Sequence, residues 1–193
     1  MTTSASTPAT APTAAPSFIH PLRRLYFIRF AFAAVWAGLV FATAADQGPL
    51  LTVLLIVYPL FDAGAILWQL RVAPDRRARL SEWAGVTVSV IVALALGITS
   101  TFSLSGALIV WGAWAIGSGI PQLITAIRNR RSGGQVAQML SGGISVFAGA
   151  GFLIQGIGGA ETITGVAGYA TLGAIFFLVS AIRLSILIGR AKR

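Results

Sequence analysis

Cysteine is absent from this chain of 193 residues, and histidine occurs once. No disulfide framework, thiolate nucleophile or thiolate metal site can therefore be built, and His20 alone cannot assemble a histidine cluster. Charge is also scarce: 10% of the residues are Asp, Glu, Lys or Arg, against about a quarter in a typical soluble domain. So few charges cannot solvate a globular surface, and most of the surface must meet hydrocarbon. The chain has no zinc-peptidase helix motif, serine triad or paired carboxylates. The glycine runs at 117–119 and 156–159 lack the strand, lysine and spacing of a nucleotide loop. The expectation is a non-enzymatic protein with no catalytic residue, cofactor or metal.

What is abundant is apolar: 56% of the residues are hydrophobic. They fall into six segments, about Leu25–Ala45, Leu50–Leu70, Trp83–Thr101, Leu104–Ile127, Val136–Ile157 and Ile163–Ile188. Each is near or above the roughly 20 residues that cross a bilayer. This predicts an all-α integral membrane protein of six transmembrane helices, arranged as three helical hairpins at about 25–70, 83–127 and 136–188. A tight turn is expected at Ser100–Ser103, because one helix of about 45 residues would far exceed a single crossing. Residues 1–21 read as a disordered cytoplasmic tail, beginning with the uncharged small-residue run MTTSASTPATAPTAAPS. Residues 22–193 form the membrane domain. The first apolar segment follows Arg23 and Arg24 and runs too long for a cleavable signal, so it is expected to remain as an anchor.

The net charge of +9 is distributed unevenly. Arg23 and Arg24 precede the first segment; Arg71, Arg76, Arg77 and Arg79 follow the second; Arg128, Arg130 and Arg131 follow the fourth; Arg190, Lys192 and Arg193 follow the sixth. The intervening loops carry no Lys or Arg, only Asp46 and Glu161. The positive-inside rule then places both termini and the two long loops in the cytoplasm. The basic face suits the anionic cytoplasmic leaflet, at about 1 kcal/mol per residue near that surface. The lipid bilayer is the expected partner, nucleic acid is not, and a homo-oligomer or a membrane-protein partner stays open.

The paired segments suggest a repeat of roughly 55 to 60 residues. Gly64, Gly119 and Ala181 come into register, each followed seven to nine residues later by Arg71, Arg128 or Arg190. With the glycine-rich stretches WAIGSGIPQLI (114–124) and LSGGISVFAGAG (140–151), and arginines closing each hairpin, residues 22–190 resemble the HdeD-like membrane proteins. The first hairpin departs most, FAFAAVWAG (30–38) lacking paired glycines. The resemblance implies six helices in a bacterial inner membrane and a role in stress or acid tolerance; it carries no catalytic residues.

Within the spans, Asp62 stands out, because an intramembrane carboxylate is costly and faces a partner in the bundle interior. It lies nine residues before Arg71, roughly 13 Å from the inner helix end, and Arg183 lies seven before Arg190, roughly 10 Å from it. Their similar depths make Arg183 the expected partner and Arg29, with its easier reach to headgroups, the rival. Such a pair serves either as a structural clasp or as a proton-responsive latch. Small residues at Gly64, Gly117, Gly119, Ser141, Ser145 and Gly149 are expected to pack helices closely. Gln69, Gln122, Gln138 and Gln155 sit toward helix ends and call for no special role. Three functions stay open: a stress-tolerance protein, a small-solute or proton transporter using Asp62 and Arg183, and a membrane scaffold or assembly subunit.

Overall fold

A computed structural model describes residues 19–72, 79–128, 130 and 135–191. The described residues form α1 (Ile19–Thr43), α2 (Pro49–Val72), α3 (Arg79–Phe102), α4 (Leu104–Arg128), α5 (Gln135–Ile157) and α6 (Thr164–Ala191), with no strand among them. All six are long and apolar enough to cross a membrane, making this a multi-pass membrane protein. Helix is the necessary state, since hydrocarbon offers no partner to a backbone N–H or C=O. No more than 33% of any span is buried within the protein; the rest presents Val, Leu, Ile and Phe outward, the surface expected toward lipid. The proposed tail at 1–21 lies outside the described residues up to 18, and from Ile19 onward it is already helix.

The three expected hairpins are not the packing units. The most extensive interfaces are α4 with α5, α1 with α6, and α2 with α3, while α1–α2, α3–α4 and α5–α6 touch less. Sequential neighbours all meet and α6 returns to α1, so the helices follow a closed cyclic order. The tightest of these interfaces, α4–α5, is a seam of small residues at seven-residue spacing. Gly112 and Gly149 face each other so closely that a Cβ on either would lie 2.6–2.7 Å from the other's carbonyl oxygen. Gly119 and Gly142 meet in the same way one heptad on, and a Cβ on Gly156 would reach 2.7 Å from the Ser105 oxygen. Seven-residue spacing keeps one stripe facing the partner along the helix, and glycine lets the backbones approach.

The turns at the end away from the basic residues are tied together. Ser103 is the single residue between α3 and α4, and its Oγ caps α4 by accepting from Gly106 N at 3.2 Å. After α5, Gly159 adopts φ 77°; Gly159 N donates to Gly156 O and Ala160 N to Gln155 O, the Schellman pattern that requires this conformation. The Ala44 carbonyl accepts from Ile163 N at 3.2 Å and Thr162 Oγ1 at 3.1 Å. Ser105 Oγ donates to Ala160 O at 3.0 Å, and Gln47 Nε2 to Ser100 O at 3.1 Å.

Candidate functional site

Arg29 lies ten residues inside the start of α1, and Asp62 ten residues inside the end of α2. At 1.5 Å per residue both are about 15 Å from the basic helix ends, and they meet there. Arg29 Nη2 donates to Asp62 Oδ1 at 3.0 Å. Ser89, ten residues inside α3, donates its Oγ to Asp62 Oδ2 at 3.4 Å. The carboxylate thus joins three helices. The Arg29 guanidinium carbon also sits 5.2 Å from the Phe177 ring centroid on α6, where the aromatic face attracts the cation.

Arg183 is not the partner that depth suggested. It is exposed on the outer surface of α6, among Val179, Ile182, Ile186, Leu187 and Arg190. Two physical reasons explain the difference. In packing order α1 stands between α2 and α6, and α1 begins four residues before Arg23, so Arg29 is deeper than its distance from Arg24 implied.

Beside the ion pair lies a cavity of about 320 Å³, at the lower end of the range for small-molecule sites. Arg29 of α1, Tyr58, Asp62 and Gln69 of α2, Ser118 and Gln122 of α4, Ser141 and Ser145 of α5, and Tyr169, Phe176 and Phe177 of α6 line it. Gln69 and Gln122 stand three and six residues from the basic ends of their helices, carrying the polar lining toward that face. Neither is merely interfacial, as their positions along the chain suggested. Among the described residues Arg29 and Asp62 are the two charged groups lining the cavity, with side-chain exposures of 13% and 31%; the other polar lining groups there are hydroxyls and amides.

Away from the basic end the interior is filled. Trp36 stacks on Trp111 at 5.4 Å, Tyr58 lies 5.5 Å from Trp111, and Trp114 meets Trp111 edge-on at 5.4 Å. Val40, Leu51, Leu55, Leu96, Leu108 and Val166 continue this core toward the far turns. Trp36 Nε1 donates to Leu54 O at 2.7 Å, tying α1 to α2; the Trp111 indole N–H is buried and finds no partner among the described residues. The arrangement is a polar cavity in the basic half and an apolar plug in the other. It can hold a small polar molecule beside the ion pair, with the packed aromatic and aliphatic core beyond it. Among the described residues no group of three His, Cys, Asp or Glu side chains converges to hold a metal.

The seam between α5 and α6, the adjacent pair with least contact, is bridged at the cavity wall. Ser145 Oγ donates to Ser141 O at 3.0 Å, which leaves Tyr169 Oη to donate to Ser145 Oγ at 2.8 Å. Ser145 belongs to two interfaces, since its Cβ also lies against Gly119.

Of the six residues expected to pack helices, Gly119, Ser145 and Gly149 do so. Ser141 lines the cavity and accepts the Ser145 hydroxyl through its carbonyl. Gly64 and Gly117 do not: a Cβ on either would find nothing within 4 Å. Gly64 instead borders an outward groove with Arg24, Ile28 and Trp68. Residues missed from sequence are Ser89, Tyr58, Tyr169, Gly112 and Gly156. The two glycines had a readable signal in the heptads Ser105, Gly112, Gly119 and Gly142, Gly149, Gly156; the tyrosines had none, since aromatic residues in a span more often fill the core.

No protein-family model matches this chain, and neither does any curated protein or solved structure with which it was compared.

Proposed function

We propose that this multi-pass protein binds a small polar solute at the Arg29–Asp62 pair and carries it across the membrane, admitting it from the basic face. The observation that carries this reading is the dead-ended polar cavity: a mid-span ion pair open to about 320 Å³ and backed by a solid aromatic and aliphatic plug. An intramembrane charge pair placed against a cavity, rather than sealed between helices, is the usual mark of a solute or ion pathway. A carrier needs a second conformation in which the plug opens, and the α5–α6 seam, where adjacent backbones approach each other least, is the surface that would part.

In this reading the basic ends face the cytoplasm, by the positive-inside asymmetry of the loops. The membrane is a bacterial inner membrane, and the protein is not an enzyme. The HdeD-like resemblance over 114–124 and 140–151 motivates the physiological expectation of stress or acid tolerance, and acid survival of a deletion strain tests it separately. Flux into proteoliposomes tests transport: uptake by wild type and its loss in Asp62→Asn support it. A stable membrane-protein partner copurifying without any flux would replace it with a scaffold role.

A further inference from the structure

The cavity's charge inventory limits what it can hold. Among the described residues its lining carries one cation and one anion, 3.0 Å apart, and the remaining polar groups there are neutral. A net-neutral occupant leaves that balance intact, whereas a singly charged one adds an uncompensated ion at mid-span, where ions are expensive. Both members of the pair also keep unused capacity. The guanidinium has five N–H donors, of which the ion pair uses one, and the carboxylate has about four acceptor sites, of which Arg29 and Ser89 take two. The guanidinium lies over the Phe177 ring at the cavity wall, and its planar fork of N–H donors matches a carboxylate. The volume, at roughly 30 Å³ for each water-sized group, admits on the order of ten such groups.

We infer that the solute is a small zwitterion, an amino acid or betaine-like molecule, which opens the Arg29–Asp62 bridge by placing its carboxylate on Arg29 and its ammonium on Asp62. One ion pair is exchanged for two, so desolvation of each charge is matched by a new partner. When no solute is bound the same two charges can pair with each other, which keeps either ion from being left unpaired in the membrane. This assignment rests on the solute-carrier reading, and it adds the class of solute and the role of each residue.

The test is binding to the purified full-length protein, with alanine as the zwitterion, lactate as its anionic and isopropylamine as its cationic counterpart. Wild type is expected to prefer alanine by roughly a hundredfold, the scale set by leaving one buried charge unpaired. Asp62→Asn should switch the preference to lactate and Arg29→Gln to isopropylamine. Exchanging the two charges, Arg29→Asp with Asp62→Arg, should restore the alanine preference and guards against a fold lost in the single variants. Equal affinity for all three probes, no binding of alanine, or single variants that keep the wild-type order would each overturn the inference. Alanine preference without proteoliposome flux would refute transport and leave the zwitterion site standing; flux of solutes with no such preference would do the reverse.

Discussion

Replacing Gly112 by alanine tests whether the α4–α5 seam holds the bundle together. The new Cβ would lie 2.6 Å from the Gly149 carbonyl oxygen and 3.0 Å from both Leu153 N and Leu153 Cγ. Ordinary contact begins near 3.4 Å, so α5 must retreat by about 0.8 Å, and backbone atoms cannot rotate aside as a side chain would. Overpacking of this kind costs about 1–3 kcal/mol. The intrinsic helix gain of alanine over glycine, about 0.8–1.0 kcal/mol, offsets part of it. The expected result is a net loss of about 0–2 kcal/mol. Gly117→Ala provides the contrast, because its Cβ meets nothing within 4 Å; only the helix gain applies, and the protein should be unchanged or up to about 1 kcal/mol more stable. Unfolding titration in mixed micelles, followed by tryptophan fluorescence, reads both, since Trp111 and Trp114 lie on α4 itself. The double variant Gly112→Ala with Gly149→Ala should lose less than the two single losses combined, because one retreat of α5 relieves both clashes. If Gly112→Ala proves as stable as Gly117→Ala, the seam is not the tight contact described.

Three further outcomes follow from the same geometry. Asp62→Asn should destabilise the protein by about 1–3 kcal/mol, less than the 3–5 of a fully sealed pair because the carboxylate keeps 31% exposure, whereas Arg183→Gln on the outer surface should change unfolding by less than about 0.5 kcal/mol; equal effects would deny the Arg29 pairing. Trp36→Phe removes the N–H that reaches Leu54 O at 2.7 Å and should cost about 0.5–1.5 kcal/mol for the bond plus a little lost packing, measured in the same titration. Tyr169→Phe breaks the bridge to Ser145 and should speed hydrogen exchange or protease access along the α5–α6 seam while leaving the α4–α5 seam protected; equal loosening of both would contradict a local clasp.

Much of the fold was legible because the bilayer makes a simple demand. A span needs length and apolarity, and the six expected segments match the six helices to within a few residues at most ends. Helix α1 departs most, starting six residues before Leu25, since a helix can continue past the arginines into the interfacial zone where their charged ends are satisfied. Pairing between helices was less legible. The lateral order of spans leaves no mark in hydropathy, and that order decides whether Asp62 meets Arg29 or Arg183. The glycine seam was half visible: Gly119 and Gly149 were found through small-residue spacing, but the same criterion selected Gly64 and Gly117, which face open space. Seven-residue spacing would have separated them. Ser89 and Tyr169 owe their importance to which neighbour they face across a helix boundary, and that depends wholly on tertiary structure.

The absence of cysteine makes the wild-type chain a ready background for the most direct test of the polar cavity and its plug. Single cysteines at Gln122 and Ser141, which line the cavity, and at Leu108, in the plug, are exposed in oriented vesicles to a membrane-impermeant thiol reagent added to one side at a time. Gln122→Cys and Ser141→Cys should react only from the side bearing the basic loops, and Leu108→Cys from neither. Labelling of the cavity positions from the opposite side, or from no side at all, would contradict a solute site entered from the basic face.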